Sequence, residues 1–545
     1  MKLLNQLDLQ DYIDFIENEQ FAGRYLSEFV TDTQRVYLAD DRPWVIGYSG
    51  GKDSTAVMTL VYFALLGLPR EKRHKPVFVV ASDTLVETPM VVDHVNNSLK
   101  AIEAGAKREG LPITCHKVMP ESNNTFWANL LGKGYPAPTR SFRWCTERMK
   151  IDPVSKFIRD KVSNYNEVIV VLGSRSQESA SRAQVIRKHK IDGSDLAVHT
   201  TLPNAFIYTP IDTWHVDDVW KILRLCHLES QSTSYGDKVI VKNKWIDKYD
   251  LEWDTPWGTR NLILWNLYKD SSGQGECPLV IDETTPSCGN SRFGCWTCTV
   301  VTKDRAMESL IQNGEEWMKP LLKYRNILSR STSPKLKKKY RNHIRRDGRL
   351  AFKTLREDKE RILTDDYTTG PYKLKYRKLA MRLLLRIQKQ FNDAKRNVEL
   401  ITVPELHAVR HEWLNDPNEP DWDDSLPKIV FEEVGLTLDW SVDDTNQFGQ
   451  VEGELLNQIA PKHGISPQML KKLIDLETSM SGLVRRSGIF GKIGSLIQQD
   501  WESAEDIIAS NLKMRQNQMR QSNEVKQLEQ ELKLINASLE AEGIK

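Results

Sequence analysis

The sequence predicts an α/β fold in which a parallel sheet carries helices on both faces. Between residues 44 and about 220, short apolar runs such as WVIGYS, VFVVAS and VIVVLG alternate with segments of helical periodicity. Strands that alternate with helices in this way form parallel sheets through repeated strand–helix–strand units. The chain has 545 residues, which is too long for one hydrophobic core, so we expect two to four domains.

The elements of this region can be assigned in order along the chain. The run WVIGYS precedes a helix over 54–68, and the run VFVVAS precedes a helix whose apolar residues recur over 91–102. The run ITCHKV, a helix after Asp152, the run VIVVLG and a helix over 216–225 follow. Continuous apolar runs predict buried strands, and three- to four-residue spacing predicts helices that pack on them.

The composition is that of an ordinary globular protein, with 40% apolar and 28% charged residues. The 76 basic and 74 acidic residues nearly cancel, so any affinity for nucleic acid must come from local patches. The start of the chain carries Asp8, Asp11 and Asp14, where an export signal needs an apolar stretch. No apolar run approaches the ~18 residues of a spanning helix. We therefore expect a cytoplasmic protein with no membrane partner.

Changes in periodicity, cysteine content and charge divide the chain into five regions. We expect an N-terminal helical segment over 1–40 and the α/β domain over 41–228. Periodicity fails over 229–305, where four of the seven cysteines lie. Residues 306–400 form a basic, helical region, and 401–545 an acidic, helical C-terminal region.

Two features of the C-terminal half indicate partners. Residues 319–361 hold sixteen Lys or Arg against four acids, which favours binding to a phosphate backbone, although a solvated helical face is the alternative. Near the end of the chain, apolar residues alternate at three- and four-residue spacing, which predicts a short coiled coil. These residues are Val525, Leu528, Leu532, Ile535 and Leu539.

The strongest functional motif is the loop SGGKDS at 49–54, between the first strand and its helix. Its glycines let backbone amides approach a phosphate, and the helix N-terminus adds positive potential. We expect Lys52 and Asp53 to be loop residues that face this ligand and not the core. The phosphate loop GxxxxGK[ST] fits less well, because Gly47 to Gly51 is one residue short and Asp53 replaces the Ser or Thr.

Two further stretches follow strands at the same predicted edge of the sheet. Asp83 ends the second strand and precedes ETP at 87–89, which is also typical of a helix start with Thr88 as N-cap. The stretch GSRSQES at 173–179 follows VIVVL. Arg175 and Arg182 would bind the phosphates, or the anionic group of the acceptor, as bidentate donors. The alternative is a solvated helix start with charge pairs one turn apart.

The cysteines form two groups. Cys145 lies among four cations in RSFRWCTERMK at 140–150; nearby cations favour the thiolate, which attacks or accepts sulfur. A buried structural thiol is the alternative. Four thiolates in the irregular segment indicate a metal site, and their spacing of ten, six and two intervening residues leaves zinc and iron–sulfur open. They are Cys277, Cys288, Cys295 and Cys298.

These motifs together resemble the PP-loop ATP pyrophosphatases and their phosphoadenylylsulfate-reductase-like branch. Most narrowly, the sequence is similar to the DndC-type sulfurtransferases of the bacterial DNA phosphorothioation (Dnd) system. The closer resemblance rests on SGGKDS, RWCTERMK, CGNSRFGCWTCTVVTKDRAM and a long basic tail. It implies an adenine nucleotide alpha hydrolase-like PP-loop fold, with a cysteine-rich iron–sulfur segment and a mainly helical C-terminal region.

The resemblance also implies an activity, which is ATP-dependent sulfur transfer to the DNA backbone. A non-bridging phosphate oxygen would be adenylated with release of pyrophosphate, and sulfur would then displace AMP. The implied cofactors are ATP, Mg2+ and a 4Fe-4S cluster. The implied partners are DNA, a cysteine desulfurase as sulfur donor and other Dnd-system subunits. A phosphoadenylylsulfate-type reductase, a tRNA-thiolating PP-loop enzyme and a non-catalytic scaffold are the alternatives.

The resemblance assigns roles to individual residues. The implied catalytic residues are Lys52, Asp53, Cys145 and Arg175. The nucleotide would be held by Ser49, Gly50, Gly51, Lys52, Asp53, Ser54, Asp83, Gly173, Arg175 and Arg182. The cluster would be held by Cys277, Cys288, Cys295 and Cys298.

Overall fold

The chain forms two compact units in a computed structural model. The first comprises Met1–Phe126, Ala137–Ser329 and Phe391–Ile401, and the second comprises Trp127–Pro136, Arg330–Gln390 and Thr402–Lys545. The structure describes residues 19–176, 188–191, 193–223, 233–235, 238–240, 255–259, 261, 264, 294–312, 314–357, 360–416, 418–440, 450–480, 488–499, 501 and 504–541.

The first unit is an α/β domain. Its strands and helices are, in chain order, β1 (Gln20–Phe21), β2 (Arg24–Tyr25), α1 (Leu26–Leu38), β3 (Trp44–Gly47), α2 (Lys52–Leu66), β4 (Val77–Ser82), α3 (Pro89–Glu109), β5 (Ile113–Val118), α4 (Asp152–Tyr165), β6 (Val168–Val171), β7 (Leu196–Val198), β8 (Ala205–Tyr208), α5 (Val216–Leu223), β9 (Thr233–Tyr235), β10 (Lys238–Ile240), α6 (Arg305–Gln312) and α7 (Lys319–Ser331). The last two residues of α7 belong to the second unit.

Six of these strands form one sheet, in the order β5-β4-β3-β6-β8-β7. All neighbours are parallel except β7, which runs antiparallel to β8. The predicted parallel α/β sheet is therefore confirmed. Strands β7 and β8, of three and four residues, were not predicted. The chain runs from β3 to β4 and β5, and then returns to β6 on the other side of β3, so a topological switch point lies between β3 and β6.

Helices cover both faces of the sheet, because alternate residues of each strand point to opposite sides. Trp44 and Ile46 of β3 belong to one core with buried residues of α1, α2, α3 and α5. Val45 belongs to the other core, together with Val154 and Ile158 of α4. A sheet buried on both faces explains why its central strands appear in the sequence as continuous apolar runs.

The second unit is mainly helical, which confirms the prediction for the C-terminal region. Its elements are α8 (Lys337–Tyr340), β11 (Ala351–Glu357), β12 (Glu360–Thr368), α9 (Leu374–Asp393), α10 (Val403–Leu414), α11 (Ser425–Val434), α12 (Gln450–Ile459), α13 (Pro467–Met480), α14 (Ile489–Ile497) and α15 (Ala504–Ala541). The antiparallel hairpin of β11 and β12 lies in the region for which only helix was predicted. Among the described residues, no helix has both the length and the apolar character needed to cross a bilayer.

A short segment from the α/β part of the sequence, Trp127–Pro136, folds with the second unit. Side chains of α9 and α10 hold its backbone carbonyls: Arg377 donates to Gly132, and the indole of Trp413 donates to Leu131 over 2.6 Å. Buried carbonyls need such donors. The C-terminal helices therefore stabilise a segment that immediately precedes the stretch containing Cys145.

Candidate active site

The loop at 49–54 connects β3 to α2 at the carboxyl edge of the sheet, beside the switch point. Gly50 has φ +69°, and a Cβ atom there would lie 2.7 Å from Cγ2 of Val95, so this position requires glycine. Ser54 Oγ accepts a hydrogen bond from the Ser49 amide over 3.2 Å and donates to the Gly51 carbonyl over 3.0 Å. The loop is thus fixed by its own side chains at a helix N-terminus, a geometry that suits a phosphate group.

Three charged side chains form a buried triad at the start of α2. Lys52 Nζ donates to Asp53 Oδ2 over 2.7 Å, and Arg175 Nε donates to Asp53 Oδ1 over 2.8 Å. The expectation that Lys52 and Asp53 are loop residues is wrong, because both lie in the first turn of α2 and are 2% and 5% exposed. That they face the ligand stays a prediction. Burial is tolerated because the opposite charges satisfy one another. The two cations lie beside the glycine loop, where an anionic ligand would be bound.

The loop after β6 approaches α2 so closely that it also requires a glycine. A Cβ atom on Gly173 would lie 2.9 Å from the Asp53 carbonyl carbon and oxygen. The next residue, Ser174, is 2% exposed, and its hydroxyl has no hydrogen-bond partner in the described part of the chain. A buried hydroxyl in that state is available to a ligand. Arg182, predicted to join this site, lies outside the described residues.

The carboxyl end of β4 carries Asp83, whose carboxylate already has two partners. Oδ1 accepts from the Leu85 amide over 2.9 Å, and Oδ2 accepts from Lys117 over 3.0 Å. A role beside the nucleotide stays a prediction. Thr88 is the N-cap residue of α3 and Pro89 is at its first position, so the helix-start interpretation of the ETP stretch is confirmed.

The turn that contains Cys295 and Cys298 is held against the loop that follows β4. Cys295 forms a backbone bridge with Glu87, and its Sγ lies 3.4 Å from the Thr84 hydroxyl. The Cys298 amide donates to the Cys295 carbonyl over 3.1 Å. Arg325 of α7, which is fully buried, donates to the Cys298 carbonyl over 2.8 Å. Both thiols therefore lie on one rigid turn close to the strand end.

This turn provides half of the predicted metal site. Cys277 and Cys288 lie outside the described residues, and the described part of the chain contains no group of three side chains that could hold a metal. Burial raises the pKa of the Cys295 thiol to about 11, an effect that nearby Lys150 partly offsets. A thiol in such a position becomes a thiolate when a metal cation supplies the missing charge. The choice between zinc and iron–sulfur stays open.

Cys145 is half-buried and lies in a short helical turn, Trp144–Thr146. The segment that follows is held against the same strand end, because the Ser82 hydroxyl donates to the Met149 carbonyl over 3.0 Å. In addition, Lys150 Nζ lies 3.7 Å from Glu87 Oε1. Strand β4 and its loop therefore anchor both the Cys145 segment and the Cys295 turn.

The cations around Cys145 have other partners as well. Arg148 donates to the Asn124 side chain over 2.8 Å, and Lys150 pairs with Glu87. Burial raises the pKa of Glu87, while Lys150 acts in the opposite direction. The predicted thiolate character of Cys145 stays a prediction.

Sequence reasoning missed two residues that support the site. His94 of α3 is buried, and its Nε2 lies 3.1 Å from the Gly50 carbonyl oxygen, so it stabilises the loop at 49–54. Arg325 had been counted as part of the basic segment, whereas it supports the Cys295 turn. Neither had a usable signal, since one histidine in a helix and one arginine in a basic run are unremarkable locally.

Only some of the cations in the basic segment at 319–361 are available to a ligand, because others bind groups of the second unit. Arg341 donates to the carbonyls of Thr369 and Gly370, and Lys338 pairs with Asp366 over 3.0 Å. Arg346 binds the Lys133 carbonyl and Glu412. Other cations are exposed and form no ion pair in the described part of the chain; among them are Lys335, Lys339, Arg345 and Arg349.

Residues 43–301 match the family model for the phosphoadenosine phosphosulfate reductase domain. This part of the chain, just under half of its length, is similar to that domain. The match covers the sheet, both loops at the switch point, the Cys145 segment and the Cys295 turn. The predicted membership of the reductase-like branch is thus confirmed at the level of the domain.

Three individual proteins are similar to parts of this chain, at low sequence identity. An uncharacterized protein of Methanocaldococcus jannaschii is 28% identical over 204 residues, which are 37% of this chain and 36% of that protein's length. Phosphoadenylyl-sulfate reductase from Candida auris aligns with a TM-score of 0.22 and 13% identity, over 35% of this chain and 76% of that one. Candida glabrata FMN adenylyltransferase aligns with a TM-score of 0.24 and 10% identity, over 41% and 66%.

Proposed function

We propose that the first unit is an ATP pyrophosphatase that activates a phosphate oxygen for replacement by sulfur, and that the acceptor is the DNA backbone. One observation carries the proposal: phosphate-binding and thiol-bearing segments share one edge of the sheet. The buried triad of Lys52, Asp53 and Arg175 lies at the switch point, where open α/β sheets bind ligands. The neighbouring strand end anchors the segments of Cys145 and Cys295.

The first step removes a chemical difficulty. A non-bridging phosphodiester oxygen is a very poor leaving group, and adenylation improves it. That oxygen attacks the α-phosphorus of ATP, pyrophosphate leaves, and a mixed anhydride forms. Lys52 and Arg175 stabilise the negative charge that develops on the phosphates, because Asp53 already holds both cations in place and no reorganisation is needed.

The second step exchanges AMP for sulfur. A cysteine desulfurase leaves a persulfide on Cys145, which is half-buried and can be reached. The terminal sulfur attacks the backbone phosphorus, and the bond from phosphorus to the AMP-linked oxygen breaks. A second thiol then attacks the Cys145 sulfur, forms a disulfide with it and releases the phosphorothioate.

Mg2+ and the 4Fe-4S cluster have different places in this scheme. Both carboxylate oxygens of Asp53 accept hydrogen bonds from cations, which fits an orienting role better than ligation of Mg2+, so no step is assigned to that ion. Cys295 and Cys298 lie on one turn, as two ligands of a four-cysteine site require. With Cys277 and Cys288 they would hold a 4Fe-4S cluster, which when bound supplies electron-transfer or sulfur-binding chemistry.

The reductase-like match of residues 43–301 supports a second candidate, reduction of phosphoadenylylsulfate. That reaction consumes no ATP and releases sulfite. A tRNA-thiolating enzyme would instead share the adenylation step and differ in the nucleic acid that receives sulfur. The exposed cations Lys335, Lys339, Arg345 and Arg349 favour a polyanionic acceptor over a small sulfonucleotide.

The deciding experiment is mass spectrometry of nuclease-digested DNA from cells with and without the gene. We expect phosphorothioate-linked dinucleotides, in which one oxygen is replaced by sulfur, only when the gene is present. A strain that carries the Lys52→Ala variant should lack them. Sulfur in tRNA but not in DNA, or sulfite release from phosphoadenylylsulfate without pyrophosphate release from ATP, would replace the proposal by one of its alternatives.

The metal proposal makes a separate prediction about the purified protein. Prepared without oxygen, it should be brown and contain iron and labile sulfide at about four each per chain, because four thiolates complete one cubane. Cys295→Ser should lose most of both. Cys115→Ser, which changes a cysteine in strand β5, is the control and should keep them. Stoichiometric zinc without visible absorbance would identify a zinc site instead.

A further inference from the structure

Helix α15 carries an apolar stripe that is open to solvent along its C-terminal half. Val525, Leu528 and Leu532 are 54%, 61% and 61% exposed. Their spacing of three and four residues places them at a, d and a of a heptad repeat, so they share one face of the helix. We call this face the α15 seam. Large apolar residues repeated along one exposed helix face are typical of an interaction surface.

The residues that flank the α15 seam have one sign of charge. Glu524 and Glu531 fall at g positions and Glu529 at an e position, and all three are exposed. None of the three forms an ion pair in the described part of the chain. Lys533, the nearest described lysine, falls at a b position, away from the seam. Any helix that packs on this seam therefore meets a border that is acidic on both sides.

This border argues against a second copy of the chain as the partner. In a parallel pair, Glu524 at g would face Glu529 at e of the other copy, five residues further along. In an antiparallel pair, g positions face g positions, and those of the α15 seam carry Glu524 and Glu531. Either arrangement juxtaposes like charges, which disfavours pairing. The α15 seam is thus apolar enough to bind a helix, and its acidic border disfavours pairing with a second copy of the same helix.

We propose that the α15 seam docks an amphipathic helix of a different protein, one whose e and g positions carry Lys or Arg. Apolar residues of that helix would pack between Val525, Leu528 and Leu532, and its cations would pair with the glutamates at the border. Such pairs set partner choice and orientation in coiled coils. The inference stands apart from the proposed sulfur chemistry, since α15 belongs to the second unit and the nucleotide loop to the first.

A photo-crosslinking experiment on the full chain in its native host tests this proposal. Leu528→p-benzoylphenylalanine places the crosslinker in the seam, and the same residue at Gln530, an f position on the outer face, is the matched control. We expect Leu528 to crosslink to one segment of another protein, identified by mass spectrometry, with an apolar repeat bordered by Lys or Arg. A crosslink to a second copy, to the same chain, or to nothing above the Gln530 control overturns the proposal.

Charge reversal tests the basis of partner choice. The combined variant Glu524→Lys, Glu529→Lys and Glu531→Lys keeps the helix and reverses the border, so the crosslink at Leu528 should fall at least tenfold. The control adds lysines on outer positions, Gln516→Lys, Gln527→Lys and Gln530→Lys, and should crosslink as the unmodified seam does. Equal crosslinking in both variants would contradict a partner with basic flanks. Pyrophosphate release should be unchanged in both.

Discussion

Asp53→Asn is expected to abolish pyrophosphate release from ATP while the protein stays folded. Asparagine keeps the shape of the side chain but removes the charge that holds Lys52 and Arg175 over 2.7 and 2.8 Å. Preorganised charges of this kind contribute about 10²–10³ in rate each, and here one substitution removes the charge that both cations contact. The rate of pyrophosphate formation at saturating ATP, followed with a coupled enzyme assay, measures the effect.

Truncations at the same triad should also reduce stability, because the three side chains are buried together. Asp53→Ala removes the buried carboxylate that both cations contact and should lower the free energy of unfolding by about 3–5 kcal/mol. Lys52→Ala leaves Asp53 paired with Arg175, so it should lower the free energy of unfolding by less than Asp53→Ala does. It should still abolish pyrophosphate release. Activity must therefore be compared only among variants that remain folded at the assay temperature.

Lys75 offers a matched control for this comparison. Its side chain is fully buried and pairs with Asp40 over 3.1 Å, as Lys52 pairs with Asp53, but it lies at the opposite end of strand β4 from Asp83. Lys75→Met should cost stability and leave pyrophosphate release intact. If the Asp53→Asn variant released pyrophosphate at the wild-type rate, the assignment of the loop at 49–54 to ATP would be contradicted. If a folded Lys75→Met variant lost pyrophosphate release, the assay would be reporting stability and not the chemistry of the site.

The sequence was informative wherever a local pattern determines the structure. Glycines and a strand-to-helix transition define the loop after β3, and continuous apolar runs define β3, β4 and β6, so the sheet and the position of this loop were predicted correctly. The strands β7 and β8 were not predicted, and the hairpin of β11 and β12 lies in a run whose charges suggested only helix.

The features of the site that the sequence did not predict depend on long-range contacts. The sequence predicted Arg175 at the same edge of the sheet as Lys52 and Asp53. It did not predict that the guanidinium of Arg175, 122 residues after Asp53, hydrogen-bonds to the Asp53 carboxylate. The contact of Cys295 with Thr84 spans 211 residues and depends on the pairing of two loops. Such contacts follow from the fold and not from the spacing of residues in the chain.

The largest effect predicted for the second unit concerns DNA. Replacing Lys335, Lys339, Arg345 and Arg349 with glutamine should weaken DNA binding about equally for all sequences, because contacts to the phosphate backbone carry no base information. Each lost contact should flatten the dependence of log affinity on log salt by ~0.9, and so by about 3–4 for the whole set. Fluorescence anisotropy with two unrelated duplexes at several salt concentrations measures both quantities.

The structure decides which cations belong in this variant. Arg341 and Arg346 bind backbone carbonyls, and Lys338 pairs with Asp366, so replacing them would disturb the fold as well as the surface. A control with the same loss of charge takes exposed lysines from elsewhere in the second unit, namely Lys428, Lys462, Lys492 and Lys513. Equal weakening by both sets would show that only net charge matters. Unchanged affinity and slope in the first set would make the segment a solvated surface, and DNA would then have to be presented by a partner.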